Sequence, residues 1–478
     1  MQGLVAALRG ACIGVIVGWS VVTSVMAQDA PGLDPRRERS GPGLVAQAAT
    51  QSTDSRGGAG KLDALLADDN LEDLDTPKTR FFGFDQVEAA YTYAKPAHWS
   101  KLTNRLELGV QGGFSANLKW KLSGRFDYQA IYDLSDFYPS RVRDDHKFDV
   151  MFRETYVDWD SGAVDFRVGR QQIVWGEVVG LFFADVVSAK DLRESILPDF
   201  DLLRIPQWAA RAEYFKNDIH VEGVWIPSPT VDRIGRPGSE FYPFPPAPPA
   251  GYDYAVNDEN KPRSFSHQNV GLRASILRGG WDVAGFAYRS LDAQATFFRE
   301  IVTGPRPAFV YTPRHEMITQ YGTTASKDLG DFLIKGEAIY TVGRNFNTLS
   351  LADGDGVVAQ NYLDYILSFE MPLDNDARIN AQFYQRRFSH HDANIIPRKV
   401  ESGATLFWSG KWGKFEPQIL AIHSLNRSDY LIRPKLVWNF ARDWRAVFGA
   451  DVFGGGTYGL FGQYDQKDRV YTELRKSF

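Results

Sequence analysis

Phe332-Leu333-Ile334-Lys335-Gly336-Glu337-Ala338-Ile339-Tyr340-Thr341-Val342-Gly343 is the stretch whose reading decides the fold. Phe332, Ile334, Gly336, Ala338, Tyr340 and Val342 fall on one parity, and Leu333, Lys335, Glu337, Ile339, Thr341 and Gly343 on the other. A period of two is that of a strand. An apolar face backed by a charged and hydroxylated one suits a strand with lipid on one side and water on the other. The rhythm returns at 377–383, where Ala377, Ile379, Ala381 and Phe383 alternate with Arg378, Asn380 and Gln382, and again at 399–408 and 444–452. A soluble β-sandwich alternates in the same way but hides its apolar face in a core. Strand length separates the two: these runs reach about 10 to 14 residues, beyond the usual 5 or 6 and matched to a tilted membrane strand.

Working outward, the connections alternate in length. Short turns are expected near 112–115, 160–162, 217, 278–280, 327–330, 372–376, 410–413 and 442, with longer segments at 133–146, 176–205, 227–263, 291–312, 345–360 and 454–466. That is the antiparallel porin plan, and it yields an all-β transmembrane barrel of about 18 strands over residues 80–478, with 16 the alternative count. The run 147–159 changes phase midway, as a bulge makes a strand do. The segment 243–249 holds five prolines, which cannot join a ladder.

Both ends of the chain fit this plan. Val470, Leu474 and Phe478 share one parity of the last strand, and Arg469, Tyr471, Glu473 and Arg475 the other. A terminal Phe on such a strand resembles the assembly signal of bacterial outer-membrane barrels, with Leu474 and Phe478 as its residues. At the other end, Arg9, the apolar run 11–26 and Ala27 form a signal peptide over 1–27, so the chain is expected to be exported to the cell outer membrane. Residues 28–60 lack aromatics and are expected to be a disordered periplasmic leader. In 61–75, Leu62, Leu65, Leu66, Leu71 and Leu74 keep helical spacing among six acids. This predicts a short, acidic, amphipathic periplasmic helix, either a spacer or a plug or partner-docking element.

Composition narrows the function classes. Mean hydropathy is -0.31, which excludes a polytopic helical membrane protein, and past residue 26 no apolar run approaches the roughly 18 residues of a spanning helix. The only cysteine, Cys12, lies in the signal, so disulfides, thiolate metal sites and a cysteine nucleophile are excluded from the mature chain. The net charge of -5 leaves no footprint for nucleic acid. None of the eight histidines falls in a metal-ligand spacing, and no nucleophile elbow, phosphate loop or dinucleotide fingerprint occurs. No cofactor, metal or catalytic residue is expected, and the chain reads as a non-enzyme.

The most distinctive run is Val168-Gly169-Arg170-Gln171-Gln172-Ile173-Val174-Trp175-Gly176-Glu177, which ends a strand and opens the long segment 178–205. A long loop between barrel strands often narrows the lumen, where charges of mixed sign select what passes. Arg170, Glu177, Asp185, Asp191, Arg193 and Glu194 are therefore the candidate constriction residues. The alternative is that Arg170 and Glu177 pair across the wall and merely pin the loop.

Gly169-Arg170-Gln171 with Trp175-Gly176-Glu177, followed by Asp185-Val186-Val187 and Asp191-Leu192-Arg193, resembles an outer-membrane barrel family of unknown function with a GRQ-x-x-x-WGE signature. Ser188-Ala189-Lys190 stands where that family usually has Asn-Pro. The resemblance implies a barrel, often linked to exporters of the resistance-nodulation-division (RND) class and to lipid or hydrophobic-compound export, and distantly similar to alginate-export porins. The expected partners are outer-membrane lipid, the barrel assembly machinery and a periplasmic or RND-type transport partner. The leading functional expectation is a porin-like channel or export conduit with a charged lumen. The alternatives are a partner-dependent exporter and a surface-binding barrel.

Overall fold

The computed structural model describes residues 79–178, 184–374 and 376–478. The expected signal peptide, leader and acidic helix lie outside the described residues. The barrel strands are β1 (Arg80–Thr92), β2 (His98–Ser115), β3 (Leu118–Gln129), β4 (Phe148–Asp160) and β5 (Val164–Gln171). Two short strands, β6 (Ala189–Lys190) and β7 (Arg204–Ile205), precede β8 (Gln207–Lys216) and β9 (Ile219–Ile226). After β10 (Asp253–Val256) come β11 (Asn269–Arg278), β12 (Trp281–Leu291), β13 (Thr296–Val302), β14 (Ala308–Arg314) and β15 (Met317–Asp328). The chain ends with β16 (Leu333–Asn347), β17 (Val357–Pro372), β18 (Arg378–Phe388), β19 (Val400–Ser409), β20 (Phe415–Ser424), β21 (Tyr430–Ala441), β22 (Trp444–Gly454) and β23 (Arg469–Ser477).

Eighteen of these strands form one closed antiparallel sheet, which decides 18 over 16. β1 pairs with β2 on one edge and with β23 on the other, from Phe84 opposite Ser477 to Thr92 opposite Arg469. Phe478 completes the seam: its N–H donates to the Gly83 carbonyl at 3.0 Å, and the Gly83 N–H donates to its carbonyl at 2.9 Å. Closure matters physically because hydrocarbon offers no partner to a free strand edge. The outer connections carry a three-stranded sheet of β10, β14 and β13, while β6 pairs only with β7.

Burial is reversed relative to a soluble protein. Exposed side chains include Leu367, Leu406, Phe448, Val470, Leu474 and Phe478, whereas Lys101, Arg125, Arg153, Glu222, Glu337, Asp451 and Arg469 are buried. Strand alternation turns the apolar row to lipid and the charged row to the lumen. Exposed Trp159, Trp281, Trp412 and Trp438 lie toward the short-turn end, and Trp99, Trp208 and Trp225 toward the long-loop end. These are the two aromatic girdles of a membrane barrel. The phase change in β4 is a bulge. Leu122 pairs with Thr155 and Gly124 with Phe152, so Arg153 and Glu154 together face Ser123.

Candidate functional site

The segment from 172 to 206, between β5 and β8, is held in two different ways. Its first part is anchored by packing and by one wall carboxylate. Trp175 is 1% exposed and lies against Phe286 and Tyr288 of β12. A side chain at Gly271 of β11 would meet the Trp175 ring at 2.6 Å, so glycine there makes room for the indole. Glu337 of β16 accepts hydrogen bonds from three backbone amides of the segment. Its Oε1 takes the N–H groups of Glu177 (2.5 Å) and Val178 (2.8 Å), and its Oε2 that of Ala184 (2.9 Å). The Glu177 side chain accepts from the Thr324 hydroxyl of β15 at 3.2 Å and lies 4.0 Å from Arg273 of β11. Burial, helped by Asp282 nearby, raises its pKa above the ordinary glutamate value.

The second part is held by the segment's own charges. Asp185 receives Arg204 at 2.8 Å within the segment. Asp191 receives Arg193 at 2.6 Å and faces Arg125 of β3 and Arg233, each at 3.7 Å. Burial alone would raise the Asp191 carboxyl, but Arg193, Arg233 and Arg125 outweigh it and hold the group far below the usual range. Arg193 also reaches Asp149 of β4 at 3.0 Å. Glu194 binds Lys101 of β2 at 2.6 Å and Arg469 of β23 at 3.2 Å. Burial opposes its charge, yet Lys101 and Arg469 bring its pKa down to about 2. Asp199 lies 3.3 Å from Arg445 of β22 and 3.6 Å from Lys435 of β21, and the Leu197 carbonyl accepts from Arg433 at 2.7 Å. Arg433 and Arg469 are themselves tied to Asp451, at 2.7 and 2.8 Å.

Five of the six expected constriction residues therefore lie on this segment within bonding reach of charged or hydroxylated partners, but they are not one cluster. Glu177 stands apart, toward β11, β15 and β16, while Asp191, Arg193 and Glu194 face β2, β3, β4 and β23. Arg170 belongs to neither group. It sits in the register row of Thr155 and Trp208, on the parity of exposed Phe166 and Val168, and makes no ion pair with Glu177. Its buried Nε has no hydrogen-bond partner among the described residues. Sequence reading placed Glu337 and Arg469 on polar faces without connecting them to the segment. Asp199, Lys101 and Arg125 carried no signal at all, because only the closed ring sets them opposite the loop.

A second connection crosses to the β1–β2 side. Glu240, between β9 and β10, accepts from Tyr138 (2.7 Å) and Thr92 (3.1 Å), and its Oε2 lies 2.9 Å from His98 Nε2. Phe241 beside it packs with Phe453, Phe461, Tyr464 and Leu197 in one buried apolar cluster. Among the described residues, Glu213, His220 and Glu222 bring ligand-type atoms within 4.8 Å of one another. Arg211 already neutralises Glu213 there at 2.6 Å.

Residues 100–478 match the model of a family described as proteins of unknown function, DUF1302. The chain belongs to this family. No curated protein matches the sequence of this DUF1302 member. Among solved structures, OccAB1 of Acinetobacter baumannii aligns at 8% identity over 84% of this chain and 96% of that one, with a TM-score of 0.52. OccAB3 of the same organism aligns at 8% identity over 84% and 99%, with a TM-score of 0.51. An anion-selective porin from Comamonas acidovorans aligns at 10% identity over 84% and 100%, with a TM-score of 0.39. The two Acinetobacter structures share the barrel fold with this DUF1302 chain. At such identity the likeness concerns fold alone.

Proposed function

We propose that this protein is a porin-like conduit of the outer membrane, with a charged lumen narrowed by the segment 172–206 folded inward. One observation carries the reading. The segment meets the lumen-facing rows of β2, β3, β4 and β23 through Asp191, Arg193 and Glu194, and those of β21 and β22 through Asp199. It meets β16 through amides bound to Glu337. A chain running outside a ring cannot reach the inward faces of its opposite sides, whereas one laid across the lumen can. Water-filled constrictions lined by both signs of charge pass small solutes and discriminate among ions.

The test is conductance of the purified barrel in planar bilayers under a salt gradient. Small-ion conductance is expected, and deleting 178–204 should raise it severalfold. Replacing Glu194 and Asp199 by their amides removes two negative charges and should move the reversal potential toward anion preference. A barrel that stays silent both intact and with the segment deleted would overturn the conduit.

A further inference from the structure

The wall is incomplete at one place. β4 runs from Phe148 to Asp160, but its ladder with β5 covers only Thr155 to Asp160. β5 stops at Gln171, where the chain leaves the wall and returns at β8. Among the described residues, Phe148 to Glu154 therefore pair with β3 alone, and their other edge has no backbone ladder. This edge lies in the half of the wall nearer the long loops, which in this plan is the outer-leaflet half. An unpaired strand edge in hydrocarbon leaves its backbone groups without partners, so a barrel keeps one only where something else covers it.

Behind it on the lumen side lie β6 and β7 and not another wall strand. Ala189 of β6 and Ile205 of β7 are buried against Met151, which points inward from the free edge. Arg153 donates to the carbonyls of Arg204, at 2.7 Å, and Asp201. The contact is made of side chains, so it can open without breaking a ladder. On the lipid side the seam is apolar: Phe148, Val150 and Phe152 are exposed, Phe152 at 62%, with Trp208 beyond. At its foot stands Arg170, in the Trp208 row, and among the described residues its buried Nε has no hydrogen-bond partner and no carboxylate pairs with it.

We propose that this seam is a lateral port between lumen and outer leaflet for single-chain amphiphiles with an anionic head, stoppered by β6 and β7, with Arg170 receiving the head. The proposal rests on the segment lying inside the lumen. A carboxylate or phosphate head would give Arg170 the charge-assisted partner that no described residue supplies.

The experiment uses the full barrel in lipid nanodiscs with a fatty acid that carries a photoactivatable diazirine on its chain. Crosslinks are mapped by peptide mass. Labelling of Phe152 and Trp208 should exceed that of the lipid-facing Leu367 and Leu436 about tenfold, the size of one charge-assisted hydrogen bond. Arg170→Gln should abolish the excess and Arg170→Lys should keep part of it. The methyl ester of the probe should show no excess, and inorganic phosphate should not compete. Passage is read at Ile205, behind the seam. It should be labelled in a Met151→Cys/Ala189→Cys pair (with Cys12→Ser) when reduced, and lose its label when the pair is oxidised.

Even labelling over the whole lipid face would overturn the proposal. So would excess labelling outside with Ile205 never reached, because the site would then be a surface lipid site only. Ile205 labelling that survives oxidation would also count against the seam as the route. Bilayer conductance is measured on the same protein. Silent bilayers with Ile205 labelled would overturn the conduit and keep the port.

Discussion

The two ends of the segment 172–206 are held by opposite chemistry. Near β11–β16 the wall supplies the charge and the segment supplies backbone: Glu337 binds the amides of Glu177, Val178 and Ala184. Near β2–β4 and β21–β23 side-chain charge meets side-chain charge: the segment's Asp191, Glu194 and Asp199 face Arg125, Lys101, Arg469 and Arg445, and its Arg193 faces Asp149. The first anchor is indifferent to side-chain identity at 178 and 184, since amides are present at every residue except proline. The second depends on particular acids. A substitution series at the hydrogen-bonded positions should therefore find the Glu337 anchor only from the wall side and the second anchor from both sides.

The largest effect is expected at Asp451, which is fully buried between Arg433 and Arg469. Asp451→Asn leaves two buried guanidinium groups without their carboxylate. Breaking a buried pair in this way costs about 3–5 kcal/mol, to be read as a drop in the urea midpoint of the refolded barrel. A loss under 1 kcal/mol would mean that Leu197 and Glu194 suffice as partners.

Glu337→Gln comes next. Amides bonded to a charged acceptor lose about 1.5–3 kcal/mol each when the charge goes, and part of the hydrogen bonding survives in the amide. Hydrogen exchange at Glu177, Val178 and Ala184 should speed up by about two orders of magnitude, while Phe84 to Thr92 in the barrel seam stays protected. Equal acceleration at both places would show that Glu337 supports the wall and not the segment.

The Glu194 tether of the second anchor should respond to acid. The Glu194 pKa is lowered to about 2 in the folded protein, against an ordinary value of 4.5. A depressed carboxylate contributes stability that is complete above the unfolded value and is lost as pH falls through the folded one. The Glu194 contribution to conductance should thus appear as a rise between about pH 4.5 and about pH 2, as the tether to Lys101 and Arg469 fails. Glu194→Gln should flatten that rise. A rise of the same size in the variant would assign it to other groups.

The smallest effect is expected at Asp136, whose carboxylate meets Arg143 at 2.6 Å with the aspartate side chain 94% exposed. Surface pairs of this kind contribute about 0–1 kcal/mol, so Asp136→Ala should leave the unfolding midpoint within error. Set beside Asp451, it measures how much of an ion pair's effect here comes from burial rather than from distance.

Several features were legible along the chain because their cause is local. The period of two in 332–343 reports which faces meet lipid and water at every residue, so strand positions follow from it directly. The phase change at 147–159 announced the Arg153–Glu154 bulge for the same reason. Phe478 could be placed at the end of the last strand from parity alone, and its bonds to Gly83 show what that placement does for closure. The strand count needed the closed ring, because 16 and 18 strands have the same local pattern.

The site was legible only in part. Asp191, Arg193 and Glu194 stood out as a charged run on a long loop. Their partners Arg125 and Arg469, by contrast, come from strands at opposite ends of the chain, made neighbours by the β1–β23 seam. Arg170 looked like one more lumen charge, but register turns it to the other face at the edge of an incomplete wall. Sequence by itself determined which residues alternate, where the short turns at one end of the barrel fall and that a charged loop follows β5, while the connections at 93–97, 389–399 and 425–429 were not read from it. Tertiary structure alone decided which wall charges meet that loop and where the ladder is missing, because both depend on ring closure, which brings together residues that no local spacing relates.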